Sequence, residues 1–234
     1  MSSVVVSGDT SGAITISAPA ISGTNTLTLP AVTDTLVGKA TTDTLTNKTL
    51  TSPVLTTPDL GTPSTLVLTN ATGLAAAAMP AGSVLQVVST TKTSTFSFSG
   101  TTATAVTGMS VTITPSSAAN KILVTATLNS GGDASTSNID LYLYRNASVV
   151  SGYIGDASGG EQRSSSHYDP SASRMQYAQS FNYLDSPSST SAQTYQVYVR
   201  TQSVAYTMYL NRGSFQDGNT GVTASTITVM EIKG

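Results

Sequence analysis

The sequence predicts an all-β protein made of an extended, intertwined trimeric shaft followed by a C-terminal antiparallel β-sandwich. Three observations predict this fold class. A leucine recurs every five residues from Leu45 to Leu60, apolar and polar residues alternate after residue 83, and all four Phe and ten Tyr lie at or beyond Phe96. A globular core uses large side chains, whereas an extended oligomeric shaft has little room for them. We therefore predict that the shaft precedes the globular part.

The shaft prediction rests on a five-residue repeat that reads LTNKT, LTSPV, LTTPD and LGTPS. A spacing of five does not place the leucines on one face of a helix, and it does not place them on one face of a flat strand. Prolines in the fourth position of three units also exclude a helix and a central strand. Such a chain has no interior of its own, so sister chains winding around it must cover the leucines. These trimer-shaft residues are Leu45, Leu50, Leu55 and Leu60. The alternative is a disordered linker rich in Thr and Pro.

Composition narrows the classes of function. The chain has 234 residues, 9% of them charged, and a formal net charge of −2, so no electrostatic field favours nucleic acid or an anionic membrane. It contains no cysteine, and hence no disulfide or thiolate metal site. We see neither a signal peptide nor an apolar run near the roughly 20 residues of a membrane span. We therefore expect a soluble protein made in a cytoplasm, without membrane insertion.

The first 40 residues contain short alternating segments separated by turns, at Ala13 to Ser17, Thr26 to Pro30 and Asp34 to Gly38. None is long enough to stand alone, so we expect them to pair between chains or to dock on a larger partner. We predict an anchoring segment at 1–40, a shaft and neck at 41–82, and a head at 83–234. The alternative for the first segment is a frayed terminus. In the neck, Gly73 to Met79 is predicted to form at most one helical turn.

The head contains eight to ten predicted strands, a number that fits a double-sheet jelly roll or a related sandwich. Turn-forming residues separate the strands, at 115–120, 130–137, 146–147, 185–191 and 211–221. The predicted strands are Val84 to Val88, Phe96 to Phe98, Met109 to Ile113, Ile122 to Leu128, Ile139 to Tyr144, Met175 to Leu184, Tyr195 to Val199, Val204 to Leu210 and Ile227 to Ile232.

Several motifs resemble a known class of proteins. TLTLP, DTLVG and DTLTNKTLTSP resemble the repetitive shafts of tailed-bacteriophage fibre proteins, especially those of marine and cyanobacterial phages. VTGMSVTITPSSAANKILV, YLDSPSSTSAQTYQVYVR and STITVMEI resemble the C-terminal heads of the same fibres. The resemblance implies a homotrimer on the surface of a virion, with a slender shaft and jelly-roll heads like those of the tumour necrosis factor superfamily. We recognise no long N-terminal tail-attachment domain of this family in the sequence, so attachment to the tail, the capsid or another fibre subunit stays open.

Catalysis, cofactors and metals have little support in the residues. His167 is the only histidine, and no Gly-x-Ser-x-Gly motif occurs. Paired carboxylates for glycoside cleavage are conceivable only among scattered residues, namely Asp156, Glu161, Asp169 and Asp217. The Asp217-Gly218-Asn219 sequence is more typical of a turn than of an ion site. We expect no enzyme activity, no cofactor and no metal site.

The best candidate for recognition is the polar segment Ser151 to Ser173, which combines aromatic side chains with hydrogen-bonding groups. This combination binds sugars, so we predict a contact surface for a host glycan or receptor. The alternatives are an ordinary surface loop or a loop buried between subunits. A weaker candidate is the segment Asn211 to Gly221, which includes Arg212, Phe215 and Asp217. The candidate contact residues are Tyr153, Arg163, His167, Tyr168 and Phe215. Tyrosines predicted to face outward, at 142, 144, 198 and 209, fit either a receptor surface or a trimer interface.

We therefore expect a non-enzymatic virion fibre that is anchored by its N-terminus to tail or capsid proteins. Its heads would bind the host surface by avidity, because three weak sites on one stalk act together. One alternative keeps the fold and makes the protein a capsid decoration or head fibre, whose N-terminal strands would extend a sheet of another protein. A polysaccharide depolymerase is the third possibility.

Overall fold

The computed structural model divides the chain into two compact units, Met1–Leu66 and Val67–Gly234. Most of the first unit lies outside the residues that it describes, which are 3–7, 11–17, 24, 26, 31–33, 44–45, 49–56, 59, 61–62, 75–133, 138–170, 175–219 and 221–234. Leu60 and the predicted strand at 34–38 lie outside the described residues, as does all but Thr26 of the strand at 26–30.

The first unit contains an antiparallel hairpin of β1 (Ser3–Ser7) and β2 (Ala13–Ser17). The predicted strand at 13–17 is thus confirmed with its bounds, although its partner is a segment of the same chain. In the repeat, the side chains of Leu45, Leu50 and Leu55 are 48%, 56% and 52% exposed. Nothing within the described part of one chain covers these leucines fully.

The second unit contains two short 3-10 helices and eleven strands among its described residues. The first helix spans Ala76–Ala78, where one helical turn was predicted. The second 3-10 helix spans Ser151–Tyr153. The strands are β3 (Val84–Lys92), β4 (Phe96–Phe98), β5 (Thr104–Ile113), β6 (Lys121–Gly132), β7 (Ile139–Arg145), β8 (Ser148–Val149), β9 (Ser166–Tyr168), β10 (Tyr177–Asp185), β11 (Gln193–Thr201), β12 (Met208–Leu210) and β13 (Ser225–Ile232).

The strands form two antiparallel sheets. One has the order β3-β13-β6-β12-β4, with β10 on the other edge of β6, and the second has the order β5-β11-β7, with β8 and β9 both on the outer edge of β7. Alternate residues of both sheets point into one hydrophobic cluster, as the period-two pattern requires. Large, fully buried members of that cluster include Met109, Leu128, Leu141, Phe181, Tyr195 and Ile227.

Polar contacts also join the two sheets. Asp185 on β10 accepts hydrogen bonds at Oδ2 from Arg145 Nη1 (2.5 Å) and Tyr195 Oη (2.7 Å), two residues of the other sheet. Burial disfavours the charge of Arg145, but Asp185 outweighs it and raises the arginine pKa. Burial and the same carboxylate raise the pKa of Tyr195. This paired carboxylate links β10 to β7 and β11 across the two sheets, and removing either partner would leave the other partly buried and unpaired.

All nine predicted head strands are present, with corrections to three boundaries or connections. The strand predicted at 204–210 is confined to β12, because residues 203–206 form a turn closed by Tyr206 N and Ser203 O. The turn predicted at 130–137 begins later, since Ser130–Gly132 extend β6 to pair with β12. The segment predicted as one loop at 151–173 contains β9, which pairs with β7. The turn at Asn146 and Ala147 is confirmed, and both residues have positive φ.

Candidate functional site

The outer face of the five-stranded sheet carries polar and aromatic side chains from two neighbouring strands. Leu141 and Leu143 of β7 point into the core, so the residues between and beside them project to the other side. Cross-strand pairing places Arg200 opposite Asp140 and Tyr198 opposite Tyr142. These four side chains therefore share one face.

A cluster of tyrosines occupies this face. The rings of Tyr144 and Tyr198 stack with centroids 3.7 Å apart and an interplanar angle of 12°. Tyr142 meets Tyr144 edge to face, with centroids 6.5 Å apart. These three side chains project away from the core, as predicted, but Tyr142 is covered on that outer face. It is only 5% exposed, because the segment Ile154–Arg163 lies beside it.

Asp140 is the centre of a charge cluster at the end of the same face. Its side chain is 3% exposed, and its two oxygens contact Arg200 Nη1 at 2.7 Å and His167 Nδ1 at 2.9 Å. Arg200 also donates from Nε to the carbonyl of Thr101 at 2.9 Å. Arg200 therefore binds both a carboxylate and a carbonyl. The side chain of His167 is 53% exposed to solvent.

The segment after β8 is held in place at both ends. Tyr153 stacks on Tyr183 with centroids 4.8 Å apart, and its hydroxyl accepts a hydrogen bond from the backbone N–H of Asn182 at 3.1 Å. Gly155 N donates to Ser164 O at 3.2 Å, and Ser165 N donates to Leu141 O at 2.9 Å. The chain between residues 155 and 164 is therefore a loop closed across its base and fixed to β7.

A groove of about 500 Å³ opens between this loop, β7 and the residues that precede β5. A second hollow of about 290 Å³ adjoins it and shares Gln162 and Arg200, with Asp140 and His167 in its wall. Apolar and polar side chains both line the larger groove, and they include Tyr142, Tyr144, Val149, Ile154, Gln162 and Arg163. Apolar surface and convergent polar groups are the usual composition of a ligand site.

The Tyr142 hydroxyl is the one buried side-chain oxygen or nitrogen without a hydrogen-bond partner in the described part of the chain. Burial, together with the nearby Asp140 carboxylate, raises the pKa of Tyr142 to about 12, so the group is neutral and able to donate. The Gln162 amide is near enough to oppose this pKa shift slightly, yet no atom pair between them has hydrogen-bond geometry. A buried hydroxyl without a partner costs about 1–3 kcal/mol.

The five candidate contact residues have different environments. Arg163 and His167 are exposed at the groove and its neighbouring hollow, as predicted. Tyr153 is half buried and fixes the loop. The prediction of an exposed Tyr168 is wrong, because β9 turns this side chain into the core, where its hydroxyl donates to Ser130 Oγ at 2.6 Å. Phe215 is 45% exposed but lines a separate hollow with Arg212.

Sequence reasoning did not single out Asp140, Gln162 or Thr101. Asp140 had a detectable signal, since it is a charged residue inside the apolar run IDLYLY, at a position that faces away from the core. Gln162 and Thr101 have no such signal, because loop packing alone brings them to the groove.

The scattered carboxylates do not form a metal site within the described residues, where no group of three or more His, Asp or Glu lies close enough to hold an ion. Asp217 accepts a hydrogen bond from the backbone N–H of Asn219 at 3.1 Å, and Gly218 between them has φ +79°, so this sequence forms a turn. No helix in the described ranges has the length and apolar character needed to span a bilayer.

No protein-family model matches the chain, and no curated protein matches it.

Proposed function

We propose that the protein is a structural fibre of a tailed-phage virion, a homotrimer that is anchored through its N-terminal part and presents its C-terminal heads to the host surface. The main support is the state of the repeat leucines. Leu45, Leu50 and Leu55 lead successive five-residue units, and each is about half exposed in a single chain. A fully exposed side chain of this size gains about 1.5–3 kcal/mol on burial, and sister chains would provide about half of that gain for each leucine.

The strand order supports a jelly-roll head of the kind found in the tumour necrosis factor superfamily. Eight strands divide into two facing sets, β3-β13-β6-β10 and β5-β11-β7-β9. Consecutive strands of the chain cross repeatedly from one set to the other, which is typical of a double-sheet jelly roll.

An apolar row on the outer face of the six-stranded sheet supports self-association of the head. Met230 pairs with both Val87 and Leu123, and Leu123 pairs with Leu184, so four apolar side chains stand in line across four strands. Val87 is 55% exposed and Leu184 is 46% exposed. Contiguous exposed apolar surface marks an interaction site, and here the occupant would be a second copy of the head.

The hairpin of β1 and β2 supports an anchoring role for the N-terminal part. An isolated two-stranded hairpin is marginally stable in water, and both of its outer edges can extend a sheet of another protein. This role suits attachment to a tail or to a capsid equally.

Two measurements test the proposal. Sedimentation equilibrium of the purified chain is expected to give about three times the 23.8 kDa chain mass, and a mass of one chain would contradict a trimeric fibre. Immunogold labelling of virions is expected to place the protein on the particle surface, at the tail for a tail fibre and on the head for a capsid decoration. Virions without label would contradict both roles.

A further inference from the structure

We propose that the groove between β7 and the loop 154–163 binds an acidic sugar unit, such as a uronic acid residue of a surface polysaccharide. This inference deepens the proposed function and rests on it, since it names the class of ligand that the head would take. Its three elements are the charge of the groove, a buried hydroxyl without a partner, and an apolar wall.

The charge of the groove favours an anion. Its described lining contains two guanidinium groups, those of Arg163 and Arg200, and no carboxylate, whereas the carboxylates of Asp140 and Glu161 line the adjoining hollow. Arg200 is already paired with Asp140, whereas Arg163 uses Nε for the carbonyl of Gly155 and pairs with no carboxylate among the described residues. The terminal nitrogens of Arg163 are therefore available for a ligand carboxylate, which a guanidinium binds with two parallel hydrogen bonds.

The buried hydroxyl favours a ligand that carries its own hydroxyl groups. Tyr142 is 5% exposed and lines the groove, and its oxygen has no partner in the described residues. The exposed side chain of Gln162 lines the same groove, and its amide makes one weak contact, to the carbonyl of Arg163 at 3.5 Å. A sugar hydroxyl that displaces this side chain would give the Tyr142 oxygen the partner that it lacks.

The remaining wall suits the less polar face of a pyranose ring. Val149, Ile154 and the Tyr144 ring supply apolar surface on one side of the groove, and Thr101 and Thr102 supply hydroxyls on another. A simple carboxylate or an acidic peptide would use Arg163 but would leave the apolar wall and the Tyr142 hydroxyl without a matching group.

The test is an NMR titration of the full-length protein with three probes, trigalacturonate, maltotriose and triglutamate. We expect trigalacturonate to bind at least tenfold more tightly than either of the others. Equal binding of triglutamate would overturn the assignment to a sugar, and equal binding of maltotriose would overturn the requirement for an acid.

Two variants and a matched control locate the binding. Arg163→Gln is expected to weaken trigalacturonate binding about tenfold, to the level of maltotriose, through loss of the charged pair. Tyr142→Phe is expected to weaken it about fivefold and to leave the fold intact, because the hydroxyl supports no contact in the described structure. Arg212→Gln is the control, since Arg212 packs over the Tyr209 ring and lines a different hollow. Unchanged binding in Arg163→Gln, or an equal loss in Arg212→Gln, would overturn the site.

Failure here is distinguishable from failure of the fibre proposal. A trimeric mass and a labelled virion do not depend on the groove, so their presence without trigalacturonate binding would reject the sugar site and keep the fibre.

Discussion

Asn120 donates a hydrogen bond from Nδ2 to Glu231 Oε1 across 2.6 Å, although 111 residues separate the two in the chain. Glu231 is 1% exposed, and the same oxygen accepts from the backbone N–H and the hydroxyl of Ser116. Gln86 donates to the other oxygen at 2.6 Å. One buried carboxylate therefore joins β3, the turn between β5 and β6, and β13.

Glu231→Gln is expected to lower the free energy of unfolding by about 2–3 kcal/mol. The substitution replaces a charged acceptor by a neutral one, and it places the N–H₂ group of the new amide against groups that also donate hydrogen bonds. Urea unfolding measures the change. Glu161→Gln, at an exposed loop position, is the control and should stay within about 0.5 kcal/mol of the native protein. An equal effect at both positions would show that the carboxylate network contributes no more than a surface charge.

Glu231 also predicts an acid dependence of stability. Burial raises the pKa of this carboxyl, but the bonds from Asn120, Gln86 and Ser116 outweigh burial and hold it below its usual value of 4.5. With a lowered pKa in the folded state, the contribution is complete above pH 4.5 and is lost as pH falls through the folded-state value. Unfolding from pH 7 to pH 3 should therefore show the native protein approaching Glu231→Gln in stability. A difference that stays constant over this range would contradict the assignment.

Asn211 is a second buried polar residue with several partners. It is 0% exposed with φ +61°, and its amide donates to the carbonyls of Lys92 (2.8 Å) and Ser94 (3.0 Å) while its oxygen accepts from Ser225 Oγ. Asn211→Asp keeps the shape but turns a carboxylate toward two carbonyls, so we expect a loss of about 3–5 kcal/mol in the free energy of unfolding.

The matched control for this change is Asn219→Asp, in an exposed turn, which should change stability by less than about 0.5 kcal/mol. Chemical denaturation of both variants measures the contrast. Similar values at the two positions would mean that the amide of Asn211 is replaceable.

The alternating strands were predictable because each buries one face. In Ile122, Val124, Ala126 and Leu128 the apolar spacing of two matches the inward positions of β6, and the structure buries all four. The edge strands β8 and β9 were not predictable. Their short sequences carry no alternation, and they form because β7 offers them a free edge. The prediction of an exposed Tyr168 was wrong for the same reason. Its segment was predicted as a loop, and a loop has no regular alternation of buried and exposed positions.

The candidate groove was predictable only in part. A loop rich in aromatic and charged residues pointed to Arg163 and His167 by composition alone. Tyr142 reaches the groove, and Asp140 the adjoining hollow, through strand pairing with β11, and Thr101 comes from a connection distant in sequence. Contacts of that kind depend on the register of the sheet, which a single sequence does not determine.

Phe181 and Phe215 offer a direct test of the core. Phe181 is 0% exposed between the sheets, whereas Phe215 is 45% exposed. Phe181→Ala should lower the free energy of unfolding by about 3–5 kcal/mol, since it removes a ring and leaves a cavity. Phe215→Ala should cost much less, and thermal unfolding compares them. Equal losses would contradict the assignment of Phe181 to the core.

The leucine repeat provides the most direct test of the proposed trimer. In a shaft of three chains each leucine position is occupied three times, so Leu50→Ser with Leu55→Ser removes six apolar side chains from one trimer. Each of these leucines is about half exposed in one chain, so burial in the shaft contributes about half of the 1.5–3 kcal/mol of full burial, and six such losses weaken association by several kcal/mol. Sedimentation of the double variant over a range of concentrations should show dissociation where the native protein stays trimeric. Val204→Ser is the control, because Val204 is 72% exposed in the second unit and outside the repeat. If the double variant kept the trimer affinity of the native chain, the leucines would be surface residues of a linker and the heads alone would hold the chains together.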